Sequence, residues 1–362
     1  MATSFSSLAL TQTLSFLPLV QGDTDYRAER REEPGLIETV LAQHGTTVIF
    51  VRDGMLAVPN GQAAKVDFET AAVRLASVPG DYVLRGFGGK LDALDVMGVI
   101  AVFLGAHGDD PDNVRQVVAF DVSGLAHDGD AQIDRKGGNQ AYFAATDLLD
   151  KVMGRFDWVA LQDFAPHSSA REVGWATTAV ALSMWHAAQL YCPRCGSPVL
   201  PANAGWAQRC TNEGCRANKS LLFPRVEPAV IVSIVDGQDR LLLQHNKAWK
   251  DPARYSVCAG FVEAGENLEH ACRREAEEET GLKLGEVKYL GSQPWPFPAS
   301  LMVAFKARAL SVDIQVDRRE TTEAAFFTRD EFTEALVSGR IVPPGKSTIA
   351  RYMIEEWYGR KL

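Results

Sequence analysis

The sequence predicts a mixed α/β protein with a compact layered domain from about residue 225 to residue 362. Two short apolar runs, AVIVSIV (229–235) and RLLLQH (240–245), have the length and composition of neighbouring strands. The segment NLEHACRREAEEET (267–280) has helical character, and the Gly281 that follows it is typical of a helix end. Further strands are predicted in KYLGSQ, LMVAFKARAL and AAFFTRD, and short helices near 329–338 and 347–358. Strands mixed around one central helix favour a layered α/β domain.

The first half of the chain predicts a separate, strand-rich domain. TTVIFVRDGMLAV (46–58) alternates like a hairpin with Asp53-Gly54 at its turn. Additional strands are expected at 82–87, 99–105 and 115–122. A helix is expected to begin after Ser168 or Ser169, because either serine can cap it, and to lead into a cysteine cluster.

Composition narrows the classes of function. With 362 residues and 46% hydrophobic content, the chain is long enough for two or three soluble domains. The net charge of −9 disfavours broad attraction to nucleic acid or anionic membrane. No Lys or Arg precedes Arg27 and no apolar run has membrane-spanning length, so we expect a cytoplasmic protein with no membrane partner. The final Arg360-Lys361-Leu362 only weakly resembles a peroxisomal ending.

Four of the six cysteines lie close together and predict a metal site. Cys192 and Cys195 form one pair, and Cys210 and Cys215 form a second, wider pair. Two pairs with a spacer of this length are typical of tetrahedral Zn²⁺ bound by four thiolates. A redox dithiol or simple buried cysteines are the alternatives. We expect one structural zinc ion per chain, because a site with four protein ligands leaves no open position for catalysis.

A run of glutamates on the predicted helix indicates a second cation site. Glu275, Glu278 and Glu279 are spaced i, i+3 and i+4, so their carboxylates share one face. Such close like charges are unfavourable without a cation, and carboxylate oxygens suit Mg²⁺ or Mn²⁺. An acidic surface helix is the alternative for a charge run alone.

The run is part of a longer motif. Gly260, Glu266 and the segment REAEEETGL that begins at Arg274 have the spacing of the complete Nudix box. The chain therefore resembles the Nudix hydrolases, which cleave a nucleoside diphosphate linked to another moiety. The resemblance implies a Nudix α/β/α sandwich with a mixed sheet, and Glu275 and Glu279 as main ligands of the catalytic cation. It implies Glu278 as ligand or general base, and it does not separate these two roles.

Three features together resemble the NADH pyrophosphatase subfamily. They are the segment SQPWPFP (292–298), the four-cysteine element before the box, and a preceding domain. The resemblance divides the chain into an N-terminal domain (1–187), a zinc ribbon (188–224) and a Nudix domain (225–362). It also implies a homodimer.

The same resemblance implies further site residues. Glu320 matches an additional metal glutamate, and Ala350 matches a residue close to the substrate. Ala259 and Phe261 flank the box glycine and would face the nucleotide, and Phe223 stands where the family usually has tyrosine. A proline-stiffened loop would line the dinucleotide site, through Gln293, Pro294, Trp295, Pro296, Phe297, Pro298, Ala299 and Ser300. Phe223 and Phe261 could stack on a base, or could instead be core residues.

The expected function is hydrolysis of the pyrophosphate bond of NADH or NAD⁺ by metal-activated water, giving NMNH or NMN plus AMP. Alternatives are a Nudix hydrolase acting on NAD-capped RNA 5′ ends or on ADP-ribose. A non-catalytic zinc-ribbon adaptor is a further alternative, although it would have no need to keep four mutually repelling carboxylates. The sequence does not decide between NADH, NAD⁺ and capped RNA, or between Mg²⁺ and Mn²⁺.

Overall fold

The computed structural model describes residues 8, 11–14, 17–20, 22–68, 70–108, 114–125 and 140–362, with the backbone alone for 140–144. The chain forms two compact units. The N-terminal unit contains Val20–Arg225 and Pro296–Ala299. The C-terminal unit contains Val226–Trp295 and Ser300–Leu362, together with the start of the chain up to Leu19.

The N-terminal unit is built on a mixed sheet with the strand order β4-β5-β1-β2-β6, and β3 pairs with β1. Strands β1 and β5 are parallel, and the other pairs are antiparallel. The strands are β1 (Thr47–Arg52), β2 (Met55–Pro59), β3 (Ser77–Pro79), β4 (Ile100–His107), β5 (Arg115–Asp121) and β6 (Phe156–Ala160). The helices are α1 (Leu36–Leu41), α2 (Gly80–Gly86), α3 (Leu94–Met97), α4 (Gln140–Met153), α5 (Leu161–Phe164) and α6 (Ala170–Ala188).

Most predicted elements of this unit are confirmed, and one is wrong. Asp53 and Gly54 both have positive φ at the turn between β1 and β2, and Ser169 caps α6 by accepting the N–H of Glu172. Residues 82–87, predicted as a strand, instead lie mostly within α2. Val83 and Phe87 are both buried and four residues apart, a spacing that places them on one side of a helix. The run is too short for that periodicity to be distinguished from a strand pattern.

The cysteine-rich segment forms a small ribbon within the N-terminal unit. Strands β7 (Val199–Ala202) and β8 (Ala207–Cys210) pair antiparallel, and the single-turn helix α7 (Arg216–Ser220) follows. Its small core consists of Cys192, Cys210 and Ala217.

The C-terminal unit has a second mixed sheet with the order β12-β13-β9-β10-β14, and β11 pairs with β9. Strands β13 and β9 are parallel, whereas the other pairs are antiparallel. The strands are β9 (Glu227–Val235), β10 (Leu241–Asn246), β11 (Cys258–Phe261), β12 (Leu284–Trp295), β13 (Ser300–Ala309) and β14 (Thr321–Phe327). The helices are α8 (Leu268–Thr280), α9 (Arg329–Val337) and α10 (Ile349–Tyr358).

Alternating residues of this sheet supply two separate cores. Val230 and Val232 pack with Ala276 of α8, whereas Ile231 packs with Met353 of α10. Because side chains alternate between the faces of a strand, the sheet lies between α8 on one side and α9 and α10 on the other. The predicted α/β/α sandwich is confirmed.

The proline-rich segment is less of a loop than predicted. Strand β12 continues to Trp295, with Pro294 opposite Leu301, so only Pro296–Ala299 connects it to β13. The prediction of a loop over Gln293–Ser300 is therefore wrong at both ends. The sheet order places β12 at an edge, where a proline is tolerated despite its missing N–H.

The start of the chain belongs structurally to the C-terminal unit. Leu8 and Leu17 are buried in the core beside α10. The backbone N–H of Leu14 donates to Leu290 O at 2.8 Å. The contacts thus group the chain into two units, and the three-domain division (1–187, 188–224, 225–362) stays a prediction.

Candidate metal and nucleotide site

The four cysteines of the ribbon converge on one point. The Sγ atoms of Cys192 and Cys215 are 3.8 Å apart, and those of Cys195 and Cys210 are 3.5 Å apart. Tetrahedral Zn²⁺ with Zn–S bonds of about 2.3 Å requires sulfurs separated by about 3.8 Å. Hydrogen bonds from Ser197 lower the pKa of Cys195 to about 6, whereas burial raises the pKa of Cys210 to about 12, so a bound Zn²⁺ ion would have to stabilise the thiolate of Cys210. The geometry and the donor chemistry both fit a structural zinc ion.

Helix α8 carries the glutamates and is fixed at both ends. The Asn267 side chain accepts the N–H of His270 at 2.8 Å, and Gly281 ends the helix with a φ of 71°. The helix packs through Ala271, Cys272 and Ala276 against the sheet. This packing turns Glu279 inward and leaves Glu277 and Glu278 toward solvent.

Glu279 is a buried carboxylate with three neighbouring donors. Its side chain is 3% exposed. Oε2 accepts hydrogen bonds from Gln244 Nε2 and Cys258 Sγ, both at 2.8 Å, and Oε1 accepts one from Thr321 Oγ1 at 3.4 Å. Burial raises the pKa of Glu279, and the nearby Glu275 and Glu320 carboxylates raise it further.

Glu275 lies one turn away, in contact with the box glycine. A Cβ atom on Gly260 would lie 2.0 Å from Glu275 Cδ, so only glycine leaves room for this carboxylate. Arg274 Nη1 donates to Glu275 Oε1 at 2.8 Å. Burial raises the pKa of Glu275 despite this contact, and Glu278 and Glu320 add to the increase.

Arg274 ties the helix to the loop before it. Its guanidinium donates hydrogen bonds to both carboxylate oxygens of Glu266, at 2.9 and 3.0 Å, and to the backbone oxygen of Phe261 at 2.8 Å. The hydrogen bonds from Arg274 lower the pKa of Glu266 to about 2. Arg274 Nη1 also donates to Glu278 Oε2 at 2.9 Å, so this arginine contacts both the loop and the helix.

Glu278 and Glu320 lie at the accessible side of this cluster. The Glu278 side chain is 60% exposed and contacts Arg274. Glu320 is exposed, and its backbone carbonyl accepts the N–H of Lys247 at 2.7 Å. The Glu320 carboxylate contributes to the raised pKa of both Glu275 and Glu279, after the larger effect of burial.

The carboxylates of Glu275, Glu278, Glu279 and Glu320 are suitable ligands for a hard divalent cation, although their oxygens lie farther apart than the cysteine sulfurs do. Within the described parts of the chain, the four cysteines are the one group of at least three acidic, His or Cys ligand atoms that all lie within 4.8 Å. Arg274 bridges Glu275 and Glu278. Carboxylate oxygens are the ligands that Mg²⁺ and Mn²⁺ prefer, and a cation would offset both the burial and the smaller mutual repulsion that raise the pKa values of Glu275 and Glu279.

A cavity of about 230 Å³ lies in the C-terminal unit. Its apolar lining includes Ile231, Met302 and Ala350, together with two tryptophans, Trp249 and Trp295. The polar lining consists of Arg254, Ser256, Gln293 and Thr348. A largely apolar cavity with a few polar groups is typical of a site for a small organic ligand.

Only some of the predicted substrate residues line this cavity. Gln293, Trp295 and Ala350 do so. Gln293 has little hydrogen-bonding capacity left, because its amide donates to Pro18 O and Ser347 O and accepts the N–H of Ile349. It braces the cavity through these bonds.

The other predicted substrate residues have different positions. Phe261 and Phe223 are 55% and 62% exposed, so the alternative that they are core residues is wrong. Ala259 is partly buried on β11 beside Gly260, and Ser300 is buried at the start of β13. The connecting residues Pro296, Phe297, Pro298 and Ala299 belong to the N-terminal unit by their contacts.

Sequence reasoning missed several residues around these sites. Gln244 and Cys258 contact Glu279 from β10 and β11. Trp249 and Arg254 line the cavity from the segment between those strands. Contacts between residues on separate strands produce no regular spacing in the sequence, so they could not be predicted from it. For the cavity, the available indication was Trp249, a large apolar residue in a polar segment.

Residues 225–350 match the model of the NUDIX domain family, and residues 187–217 match that of the NADH pyrophosphatase zinc ribbon domain. The glutamate helix and the sheet of the C-terminal unit lie within the first match, α10 extends beyond it, and all four cysteines of the cluster lie within the second. The chain therefore contains a Nudix domain directly preceded by a zinc ribbon of the NADH pyrophosphatase type.

Two curated relatives each match about half of this chain. An NAD-capped RNA hydrolase NudC of Mycobacterium bovis is 42% identical over 190 residues, which are 50% of this chain and 59% of the relative. The NAD-capped RNA hydrolase NUDT12 of Homo sapiens is 37% identical over 196 residues, or 52% of this chain and 42% of the relative. The chain thus spans about half the length of the curated relatives it matches. A crystal structure of a NUDIX hydrolase from Nitrosomonas europaea is 19% identical with a TM-score of 0.37, covering 47% of this chain and 94% of that chain.

Proposed function

We propose that this protein hydrolyses the pyrophosphate bond of NADH and NAD⁺, giving NMNH or NMN plus AMP. The observation that carries the proposal is the presence, in one Nudix domain, of a glutamate cluster and a cavity lined by two tryptophans. The cluster suits a cation that binds phosphate, and the cavity suits a planar ring. The two similar curated proteins are named NAD-capped RNA hydrolases, and the NAD cap contains the same pyrophosphate bond.

The protein's own groups have distinct roles in this proposal. Glu275, Glu279 and Glu320 hold the cation through their oxygens. The Glu278 side chain is 60% exposed, and its ion-pair partner is Arg274. We therefore assign to Glu278 the role of the general base, which accepts a proton from the attacking water. A bound divalent cation neutralises pyrophosphate charge and acidifies water. Trp249 and Trp295 hold the ring, while Phe223 and Phe261 remain candidates for stacking on a base.

A second candidate substrate is the NAD-capped 5′ end of RNA. Arg194, Arg216 and Lys219 are exposed on the zinc ribbon, and no ion pair is found for them within the described residues. Basic side chains of this kind are available for RNA phosphates, despite the acidic net charge of the chain. ADP-ribose is a third candidate because it contains the same bond.

Several finer features are proposals of the same kind. We propose Mg²⁺ or Mn²⁺ as the catalytic cation, a homodimer, and a cytoplasmic location. In the described part of the chain, no helix is both long and apolar enough to cross a membrane.

The proposal is tested by product analysis with NADH, NAD⁺, ADP-ribose and an NAD-capped RNA, side by side, with Mg²⁺ or Mn²⁺. We expect AMP and NMNH or NMN from the free dinucleotides. The Glu278→Gln variant should reduce turnover by about 10²- to 10⁴-fold, the usual contribution of general base catalysis.

Glu277→Gln is the matched control, because Glu277 is the adjacent exposed glutamate and contacts only Lys283, at 3.9 Å, among the ion pairs of the described residues. It should retain normal turnover. Binding of all four ligands without cleavage would instead support the adaptor. Normal activity of Glu278→Gln would remove Glu278 from the mechanism.

A further inference from the structure

Gln244 is a buried residue that the proposed mechanism does not use. It lies on β10, and its backbone is fixed by two hydrogen bonds to Ser256, at 2.8 and 2.9 Å. Its side chain reaches the face of the sheet that carries α8, where Nε2 donates to Glu279 Oε2 at 2.8 Å. The strand therefore determines where this amide points.

The two oxygens of Glu279 have unequal surroundings. Oε2 receives the amide of Gln244 and the thiol of Cys258, each at 2.8 Å. Oε1 receives only the Thr321 hydroxyl at 3.4 Å, a weak contact at this distance. One oxygen is occupied by two donors, and the other retains capacity for a further partner.

The opposite end of the Gln244 amide is also informative. Oε1 is buried and has no hydrogen-bond partner among the described residues. A buried acceptor without a partner costs about 1–3 kcal/mol, so such atoms are usually satisfied by protein or by an ordered water. Gln244 Oε1 belongs to the same amide group that donates to Glu279. A water molecule bound to this oxygen would therefore lie near the Glu279 carboxylate.

We propose that Gln244 and Cys258 are positioning residues that bind Oε2 of Glu279 and leave Oε1 for a divalent cation. The carbonyl of Gln244 accepts a hydrogen bond from a buried water beside this site. This inference depends on one part of the proposed function, namely that Glu279 is a ligand of the cation. It predicts coordination through one oxygen of Glu279, because the second oxygen is already occupied.

The experiment is titration of Mn²⁺ into the zinc-loaded full chain without substrate, followed by electron paramagnetic resonance of free Mn²⁺. Gln244→Leu should weaken Mn²⁺ binding by about 10- to 100-fold, the usual effect of losing a group that orients a metal ligand. Cys258→Ala should also weaken it, whereas Cys258→Ser should bind nearly as the wild type because its hydroxyl still donates.

Ser233→Ala is the matched control, since Ser233 is buried on β9 with an unpartnered Oγ in the described structure. It removes a buried polar atom that makes no hydrogen bond in the described structure, so it should leave Mn²⁺ affinity unchanged. Thermal unfolding of the zinc-loaded protein without added Mn²⁺ separates the alternatives. Variants that lose stability but keep wild-type Mn²⁺ affinity would show that the contacts are only structural, and would overturn the proposal.

A crystal structure with Mn²⁺ gives a second, independent test. Coordination by Oε1 alone, with a water on Gln244 Oε1, supports the inference, whereas coordination by both oxygens of Glu279 overturns it. Absence of NADH hydrolysis would contradict the proposed function without affecting either measurement, because both are made without substrate.

Discussion

At the scale of single residues, Glu266 and Glu279 show how one domain shifts similar carboxyl groups in opposite directions. Hydrogen bonds from Arg274 lower the pKa of Glu266 to about 2. Burial raises the pKa of Glu279, although Gln244 and Cys258 donate to it. Glu266 therefore stabilises the folded state once ionised, whereas an ionised Glu279 destabilises it when no cation is present.

This difference predicts an unusual effect of Glu279→Gln in chelator. A carboxyl group whose folded pKa is raised costs stability above its unfolded pKa, and the cost disappears once the group is protonated in both states. The uncharged variant should therefore be more stable than the wild type at pH 7 to 8. The gain should shrink as the pH falls toward about 4.5, the ordinary value. Urea unfolding followed over this pH range measures the difference.

Glu277→Gln serves as the control for this prediction, because Glu277 is exposed on the same helix. Its stability difference from the wild type should be small and nearly independent of pH. A Glu279→Gln variant that is less stable than the wild type at pH 8 would contradict the effect of burial.

At the scale of elements, the site depends on how closely α8 approaches β11. Gly260 lies within β11 in ordinary strand conformation, and its missing side chain provides the space for the Glu275 carboxylate. Glycine is therefore required here by close packing and not by backbone conformation. The blocking atoms are the end of a flexible side chain, so a methyl group would displace Glu275 and leave the strand intact.

Gly260→Ala should accordingly reduce Mn²⁺ affinity by about 10-fold or more, the scale reported for disturbed metal ligands, with little change in thermal stability. Gly237→Ala is the matched control, since the nearest atom to its added Cβ is Arg308 Nη2 at 3.4 Å. Calorimetric Mn²⁺ titration and thermal unfolding of the same samples test the prediction. A large loss of stability with normal affinity would show that β11 shifts and Glu275 does not.

The elements also show what could be predicted from sequence. Helix α8 and the cysteine pairs were predictable, because capping, helical spacing and ligand spacing are local patterns. Helix α2 was mistaken for a strand, since six residues do not define a period. Gln244 and Cys258 were not predictable as partners of Glu279, because they reach it from separate strands. Motifs formed by residues close in sequence can therefore be predicted from the sequence, whereas contacts between residues on separate strands become visible only in the folded structure.

At the scale of the whole molecule, the chain does not divide in simple sequence order. The start of the chain packs on the C-terminal unit, although about two hundred residues of the N-terminal unit separate them. Leu17 is buried there and approaches Gly291 of β12, and Pro18 O accepts a hydrogen bond from Gln293. Gln293 lines the cavity, so the chain start supports a residue of the candidate nucleotide site.

Leu17→Ala should therefore destabilise β12 locally. Removing a buried leucine side chain typically costs about 2–5 kcal/mol, and we expect about 2 kcal/mol because Leu17, at 8% exposure, is not fully buried. Amide hydrogen exchange across β12 is the appropriate measurement, because it reports local opening and does not require the two units to unfold together. Leu310→Ala is the control, since Leu310 is exposed in the same unit. Unchanged protection of β12 in Leu17→Ala would mean that the chain start does not stabilise the C-terminal unit, and the cavity would then depend on residues 226–362 alone.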